Sequence, residues 1–318
     1  MAESPVLTRP TTSDATPEAM LDAPRPPDQP VSSAGRSAAP PEPAQGDAAP
    51  PAVVIDGVSR RFDDVVAVNG LSLVIQPGVI LGVIGPSGSG KTTTVRMLTG
   101  ALKPDKGKVT VLGHDPARFD RATRERIGYL PQLSVLYPEL TAWENVDFVA
   151  ALFGMLLPRR MGAVRRVLKV LGLWDERDRQ VAGFSGGMKR RVSLACALVG
   201  EPELYFLDEP TTGIDPILRE SIWAELGRLR DSGRTILVTT QYVSEAEECD
   251  YVALLAQGRL IALGTPEELR ARANGGRAPT GQDGHKSFDD VFADLVRQHE
   301  AEGDVATSAA SESQAVSA

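Results

Sequence analysis

The residues most able to do chemistry lie in one glycine-rich segment that ends in a lysine and two threonines, Gly85-Pro-Ser-Gly-Ser-Gly-Lys91-Thr92-Thr93. Its glycines let the backbone curl so that several N–H groups converge on a phosphate. A lysine at the end of such a loop reaches the β- and γ-phosphates of a nucleotide, and the adjacent hydroxyl binds Mg²⁺. The segment predicts a phosphate-binding P-loop made of Gly85, Pro86, Ser87, Gly88, Ser89, Gly90, Lys91, Thr92 and Thr93.

The neighbouring sequence provides the context that this loop needs. Val79–Ile84 is a continuous apolar run, typical of a strand buried on both faces, and Lys91–Thr99 is a helical stretch that ends at Gly100. A short glycine pattern also arises by chance, but a buried strand before it and a helix after it are what phosphate binding requires. The helix adds the positive end of its dipole to the site.

A second apolar run ends in two acidic residues, Leu204-Tyr-Phe-Leu-Asp208-Glu209. An aspartate at the end of such a strand is typical of the Walker B carboxylate, which holds Mg²⁺ near the phosphates. Glu209 follows it, where a carboxylate could polarise an attacking water. The alternative is a plain exit from a strand into a turn.

Phe184-Ser-Gly-Gly-Met188 places a serine N-cap and two glycines at the start of a helix, which makes a second anion-binding site. With this element just before the Walker B strand, residues 53 to about 270 resemble the ATP-binding cassette (ABC) ATPases. The resemblance implies that Phe62 stacks on adenine and that Gln132 forms the Q-loop. It also implies that Gly213-Ile-Asp215 is the D-loop and that Gln241 occupies the switch position.

The family resemblance implies a division of roles. Two cassettes dimerise head to tail, and Ser185, Gly186, Gly187 and Met188 of one subunit face the ATP of the other. Glu209, Gln241 and Lys91 are the expected catalytic residues, and Thr92, Gln132 and Asp208 are the expected Mg²⁺ ligands. The chain departs from the family pattern at Met188, where glutamine is usual, and at Gln241, where most members have histidine. Glutamine has no proton that titrates near neutral pH.

The arrangement of elements predicts an α/β fold of the P-loop NTPase class. We expect a RecA-like parallel-sheet core over residues 52–272, with an antiparallel β edge and an α-helical insertion over about 133–182. Leu204–Leu207 and Ile236–Thr239 read as further buried strands, and Thr141-Ala-Trp-Glu144 as a capping box.

The ends of the chain have a different composition. Residues 1–51 contain 12 of the 24 prolines and no aromatic residue, so we expect a disordered arm, with partner docking as an alternative. Residues 273–286 are predicted to be a linker, 287–300 a short amphipathic helix with Ser287 as N-cap, and 301–318 a disordered tail.

Composition narrows the possible partners. The chain carries 34 Lys and Arg against 42 Asp and Glu, a net charge of −8, which argues against general nucleic-acid binding. The longest apolar run, Phe148–Leu157, is too short to span a bilayer, and the N-terminus has no signal-peptide pattern. Arg159-Arg160 after that run is compatible with membrane proximity or with a capped buried helix.

Other reactive residues receive structural interpretations. Cys196 is expected to be a buried thiol, acidic neighbours should disfavour the Cys249 thiolate, and the three histidines form no ligand set. The cluster Lys189-Arg190-Arg191 is expected to be solvated or to face a phosphate.

The resemblance implies an ATPase that powers transport through a separate transmembrane permease. We expect a homodimer on the cytoplasmic side of the cell membrane, touching it only through the permease, which would dock near Tyr137–Thr141. The chain is similar to ABC-2 type exporters, including daunorubicin-type efflux ATPases, in three short segments. They are Ser-Gly-Gly-Met before basic residues, Thr-Thr-Gln-Tyr, and the late Asp-Val-Phe. An importer ATPase, or a ribosome- or DNA-associated cassette protein, is the alternative.

Overall fold

The computed structural model describes residues 6–7, 49–133, 135–274 and 287–299. The strands of this part of the chain are β1 (Val6–Leu7), β2 (Val53–Phe62), β3 (Val65–Ile75), β4 (Ile80–Ile84), β5 (Lys106–Val111), β6 (Ile127–Leu130), β7 (Leu204–Asp208), β8 (Thr235–Thr240), β9 (Tyr251–Ala256) and β10 (Arg259–Gly264). The α-helices are α1 (Lys91–Leu98), α2 (Arg121–Glu125), α3 (Ala142–Leu152), α4 (Leu157–Val170), α5 (Gly186–Leu198), α6 (Pro216–Asp231), α7 (Pro266–Ala273) and α8 (288–299).

Six strands form the central sheet in the order β10-β9-β4-β8-β7-β6. All neighbouring pairs are parallel except the β9–β10 hairpin. Every residue of β4, β7 and β8 is buried, which explains why these strands are mostly apolar and do not alternate between apolar and polar residues. The predicted parallel α/β core is confirmed, and it places the ends of β4, β7 and β8 beside one another.

The second sheet has the order β1-β3-β2-β5, and β2 pairs antiparallel with both β3 and β5. This is the predicted antiparallel edge. Within the arm expected to be disordered, Val6 and Leu7 differ from that expectation because they pair parallel with Val74 and Ile75 of β3. An edge strand presents unpaired backbone N–H and C=O groups. The backbone groups of two further residues can pair with them even where the side chains of those residues form no core.

The central sheet is buried on both faces. Leu81 and Phe206 pack toward the second sheet, where they meet Ile55 and Leu73. Leu207 and Ile236 belong to the apolar cluster on the other face, which includes Leu226 of α6. The two apolar layers fix the central strands, and therefore the loops that follow their carboxyl ends.

The middle of the chain is helical, as predicted. Helices α3 and α4 follow β6, and Thr141 and Glu144 form the predicted capping box at the start of α3. The predicted C-terminal helix is observed as α8, with Phe288, Val291 and Leu295 buried against the main core. The linker predicted over 273–286 begins too early, because Ala273 ends α7 and Asn274 is its C-cap. The rest of the linker, the predicted tail, and the arm apart from residues 6–7 and 49–51 lie outside the described residues.

The apolar run Phe148–Leu157 does not form one helix, because α3 ends at Leu152 and α4 begins at Leu157. Within the described residues, no helix has the length and apolar character that crossing a membrane requires.

Candidate nucleotide-binding site

The P-loop connects the end of β4 to the start of α1, and its glycines are required by the local geometry. A Cβ atom on Gly85 would lie 2.1 Å from the carbonyl oxygen of Leu255. Gly88 and Gly90 have φ of 81° and 102°, and a Cβ on Gly90 would lie 2.4 Å from the carbonyl oxygen of Ala67. These backbone conformations strain residues with side chains, so the curled loop depends on glycine.

Lys91 begins α1 and is only 5% exposed. Its Nζ donates hydrogen bonds to the carbonyl oxygens of Gly85 at 2.7 Å and Pro86 at 3.0 Å. Burial lowers the pKa of Lys91, while the carboxylates of Glu209 and Asp208 act in the opposite direction. The ammonium group is thus held at the loop, within electrostatic reach of both acidic residues.

Asp208 is the last residue of β7 and is fully buried. Its Oδ1 accepts hydrogen bonds from the hydroxyls of Thr239 at 2.5 Å and Thr92 at 3.2 Å. Its Oδ2 is buried and has no hydrogen-bond partner among the described residues. A buried carboxylate oxygen without a partner is costly unless something else satisfies it. Hard cations such as Mg²⁺ prefer oxygen ligands, so the carboxylate of Asp208 and the hydroxyl of Thr92 fit this ion.

Glu209 follows Asp208 with a positive φ of 55°, an uncommon conformation for a residue with a side chain. Its N–H donates to the carbonyl oxygen of Thr239 at 3.0 Å and to the hydroxyl of the same residue at 3.1 Å. Its Oε2 accepts a 3.3 Å hydrogen bond from the Thr212 hydroxyl. The turn is therefore held from two sides.

One cleft of about 320 Å³ brings together most of the predicted site. The predicted residues that line it belong to three separate elements: the P-loop, the loop after β6 and the turn after β7. They are Ser87, Gly88, Gly90, Lys91, Thr92, Thr93, Gln132 and Glu209. Of the other P-loop residues, Ser89 is buried beneath the loop.

Two predicted residues lie near the cleft but do not line it. Phe62 ends β2, is 40% exposed and pairs in register with Val65, which does line the cleft. The guanidinium of Arg60 lies 4.9 Å from the centroid of its ring. Gln241 is exposed at the carboxyl end of β8, where the preceding carbonyl, of Thr240, accepts a 3.4 Å hydrogen bond from the N–H of Gly85.

The signature segment lies outside the P-loop cleft and borders it. Ser185 caps α5 and accepts a 3.3 Å hydrogen bond from the N–H of Met188. Gly186 and Gly187 line a second cleft of about 390 Å³, which also includes Gln132 and Glu209. Asp215 caps α6 by accepting a 3.0 Å hydrogen bond from Leu218 N. Ser185 and Met188 do not line the P-loop cleft.

The solvated alternative for the basic cluster is wrong at Arg190, which is 8% exposed and whose guanidinium contacts backbone carbonyls. It donates to the carbonyl oxygens of Gln132 at 3.0 Å and Glu209 at 3.1 Å, and also to those of Pro131 and Asp208. Burial lowers the pKa of Arg190, and the carboxylates of Asp208 and Glu209 oppose that shift. Its helical spacing from buried Ser193 and Leu194 was a signal of burial.

Thr239 also contacts both acidic residues and was absent from the predicted site. The available signal was a threonine near the carboxyl end of a buried strand, two positions before Gln241. The Cys249 thiol agrees with expectation, because burial together with Glu245 and Asp250 raises its pKa. Cys196 differs from the buried thiol that was expected, because it is only partly buried, although desolvation raises its pKa to about 12.

Comparison with known proteins shows which family the chain belongs to. Residues 68–212 match the family model described as ABC transporter. The chain is 41% identical over 227 residues to daunorubicin resistance ATP-binding protein DrrA3 of Streptomyces coeruleorubidus, covering 71% of this chain and 72% of that protein. It is 42% identical over 213 residues to Nod factor export ATP-binding protein I of Burkholderia lata, covering 67% of this chain and 70% of that protein.

A solved structure has the same fold. It is a dimeric ATP-binding cassette in a post-hydrolysis state with ADP and Pi, 26% identical, with a TM-score of 0.62 over 67% of this chain and 98% of that chain. The chain belongs to the ABC transporter family of ATP-binding proteins. It is an ATP-binding subunit that hydrolyses ATP in transport.

Proposed function

We propose that this chain powers export through a separate transmembrane permease, as one subunit of a cassette homodimer at the cytoplasmic face of the membrane. The observation that carries the site assignment is the arrangement of Asp208 and Thr92. Their oxygens lie together beneath the cleft lined by the P-loop and Glu209. Support for export comes from the relatives, one of which is described as an export ATP-binding protein.

Within the site, each residue has a role that follows from its position. Lys91 neutralises the β- and γ-phosphates, and the P-loop amides orient them. Thr92, Asp208 and Gln132 would hold Mg²⁺, which neutralises phosphate charge when bound. Glu209 accepts a proton from the attacking water and orients it toward the γ-phosphate. Phe62 stacks on the adenine, and Gln241 offers its amide to the γ-phosphate.

The dimer is supported by the position of the signature serine outside the P-loop cleft. The signature serine caps its own helix outside the P-loop cleft, so Ser185, Gly186, Gly187 and Met188 are free to face the nucleotide of a second subunit. The D-loop approaches this surface, because a Cβ on Gly187 would lie 3.2 Å from the carbonyl oxygen of Gly213. Asp215 follows two residues later, at the start of α6. One structural relative is itself a dimer.

The permease surface is proposed at the loop before α3. Asn145 is 2% exposed and holds this loop: its Oδ1 accepts from Tyr137 N at 2.9 Å, and its Nδ2 donates to Tyr137 O at 3.1 Å and Thr141 O at 2.9 Å. Tyr137 is 53% exposed and packs edge-on against Phe148. A rigid loop with exposed apolar groups suits docking of another protein.

The metal assignment is tested by thermal unfolding with ATP, with and without Mg²⁺. We expect Mg²⁺ to add to the stabilisation by ATP, and Asp208→Asn to abolish that addition. Glu125→Gln, which alters an exposed ion pair with Arg121, is the control and should behave like the native protein. An unchanged Mg²⁺ effect in Asp208→Asn would contradict the assignment.

The direction of transport is tested by co-expressing the chain with the permease encoded beside it. Inside-out membrane vesicles should take up a fluorescent anthracycline when ATP is supplied, and Lys91→Ala should abolish uptake. A neighbouring gene for a solute-binding protein, together with no ATP-dependent uptake, would favour the importer alternative.

A further inference from the structure

Arg190 forms a buried bridge between two segments of the active site. Its side chain starts from α5 and its guanidinium group donates to four backbone carbonyl oxygens. They belong to two consecutive pairs of residues, Pro131 with Gln132 and Asp208 with Glu209. A side chain with one donor group could not reach both pairs, whereas the planar guanidinium carries five N–H donors in a fixed geometry.

The two pairs of carbonyls follow adjacent strands. Strand β6 ends at Leu130 and β7 ends at Asp208, and the two strands are parallel, with Leu130 opposite Leu207. Beyond these ends no ladder connects the two chain segments, and Arg190 joins them instead. The first segment continues into the exposed residues Leu133 and Val135.

Burying a cation at this position has an energetic cost that a neutral side chain would not have. The carboxylates of Asp208 and Glu209 reduce that cost electrostatically. Arg191, the next residue of the same helix, also donates to backbone carbonyls, those of Leu171 and Gly172, at 3.2 and 3.3 Å. Arg191 lies away from the nucleotide cleft and therefore provides a matched comparison.

We propose that Arg190 is a positioning residue that fixes Gln132 relative to Glu209 and thereby sets the geometry of hydrolysis. This inference rests on the proposed roles of Gln132 and Glu209.

The test compares Arg190→Lys and Arg190→Gln with Arg191→Gln in the full-length protein. Nucleotide affinity is measured with a fluorescent ATP analogue, and hydrolysis by single turnover at saturating Mg²⁺ and ATP. For both Arg190 variants we expect affinity within about threefold of native and a rate lower by about 10- to 100-fold, because small displacements at a reacting centre have effects of that size. Arg191→Gln should keep the native rate.

Hydrogen–deuterium exchange without nucleotide gives a readout independent of catalysis. In Arg190→Lys, amide exchange should accelerate in residues 131–137 and 209–213 but not in α5, and Arg191→Gln should leave both segments unchanged. Native rates in both Arg190 variants would overturn the proposal. So would general acceleration of exchange, or failure of both variants to fold while Arg191→Gln folds, since either result assigns Arg190 to stability alone.

Glu209→Gln separates failure of this inference from failure of the proposed site. If Glu209→Gln loses hydrolysis while the Arg190 variants keep it, the site is correct and the positioning role is wrong. If Glu209→Gln hydrolyses ATP at the native rate, the proposed role of Glu209 is wrong, and the positioning role falls with it.

Discussion

The hydroxyl of Thr239 donates a 2.5 Å hydrogen bond to Oδ1 of Asp208 and accepts a 3.1 Å hydrogen bond from the N–H of Glu209. One side chain of β8 therefore holds both acidic residues at the end of β7. The parallel register places Thr239 opposite Asp208, so the contact follows directly from strand order.

The first prediction is that Thr239→Val slows hydrolysis without disrupting the fold. Valine keeps the shape and β-propensity of threonine but removes the hydroxyl that fixes Asp208 and Glu209. We expect about 1–2 kcal/mol lower free energy of unfolding and about tenfold lower kcat. Urea unfolding and steady-state ATPase assays measure the two effects.

Thr235→Val is the matched control on the same strand. The hydroxyl of Thr235 accepts a 3.0 Å hydrogen bond from the N–H of Gly78, at the opposite end of β8 from the nucleotide cleft. This variant should lose stability and keep its kcat. Equal loss of kcat in the two variants would show that strand stability, rather than the contact with the carboxylates, controls the rate.

The second prediction separates the stability of Lys91→Met from its ability to bind ATP. The folded-state pKa of Lys91 lies below its usual value, so folding disfavours the charged form, and this penalty is present at neutral pH. Replacing the buried ammonium by an apolar side chain should leave the nucleotide-free protein at least as stable as native. The increase in melting temperature caused by Mg²⁺ and ATP should disappear. Lys103→Met, on the exposed surface, should change neither quantity.

The difference in stability between the native protein and Lys91→Met should depend on pH with a defined sign. The penalty from Lys91 is relieved as the pH rises through its lowered folded-state pKa, so the native protein should gain stability relative to Lys91→Met in the alkaline range. Urea unfolding of both proteins at neutral and alkaline pH measures this difference. A native protein that instead loses stability relative to the variant would contradict the direction of the shift.

The third prediction is that Glu209→Gln accumulates as an ATP-bound dimer. Glutamine can still accept the hydrogen bond of Thr212 and adopt the same backbone conformation, but it cannot take a proton from water. Light scattering after gel filtration with Mg²⁺ and ATP should show twice the native monomer mass. The control is Glu203→Gln, which alters an ion pair with Arg126 on the surface and should behave like the native protein. A Glu209→Gln variant that remains monomeric would count against the proposed dimer.

The sequence predicted the elements whose signals are local. A glycine-rich loop between a buried strand and a helix is recognisable in a single segment, and Lys91 and Asp208 follow from it. Strand order is not local, and it alone places Thr239 opposite Asp208. Arg190 was misassigned for a related reason: its four acceptors lie about 18 and 59 positions away along the chain, so charge suggested solvent exposure. The pairing of Val6 with β3 could not be predicted for the same reason, because the free edge of β3 exists only once the sheet has folded.

The last prediction concerns Gln241, which lies exposed at the end of β8 one residue after the contact between Thr240 and the P-loop. A histidine there would change charge between about pH 5 and 8, and hydrolysis could follow that titration. Glutamine donates and accepts hydrogen bonds without titrating in this range. The native hydrolysis rate should therefore show no inflection of the histidine type near neutral pH.

Gln241→His should introduce that inflection, and it should raise the rate if positioning of water limits hydrolysis. Slow product release can mask both effects, so single-turnover rates at saturating Mg²⁺ and ATP are measured from about pH 5.5 to 8.5. Gln180→His, at an exposed residue that forms a β-bridge with Thr141, is the control for adding a histidine elsewhere and should keep the native profile. A clear inflection in the native enzyme that Gln241→His leaves unchanged would mean that another group controls hydrolysis, because the substitution alters only the residue at the switch position.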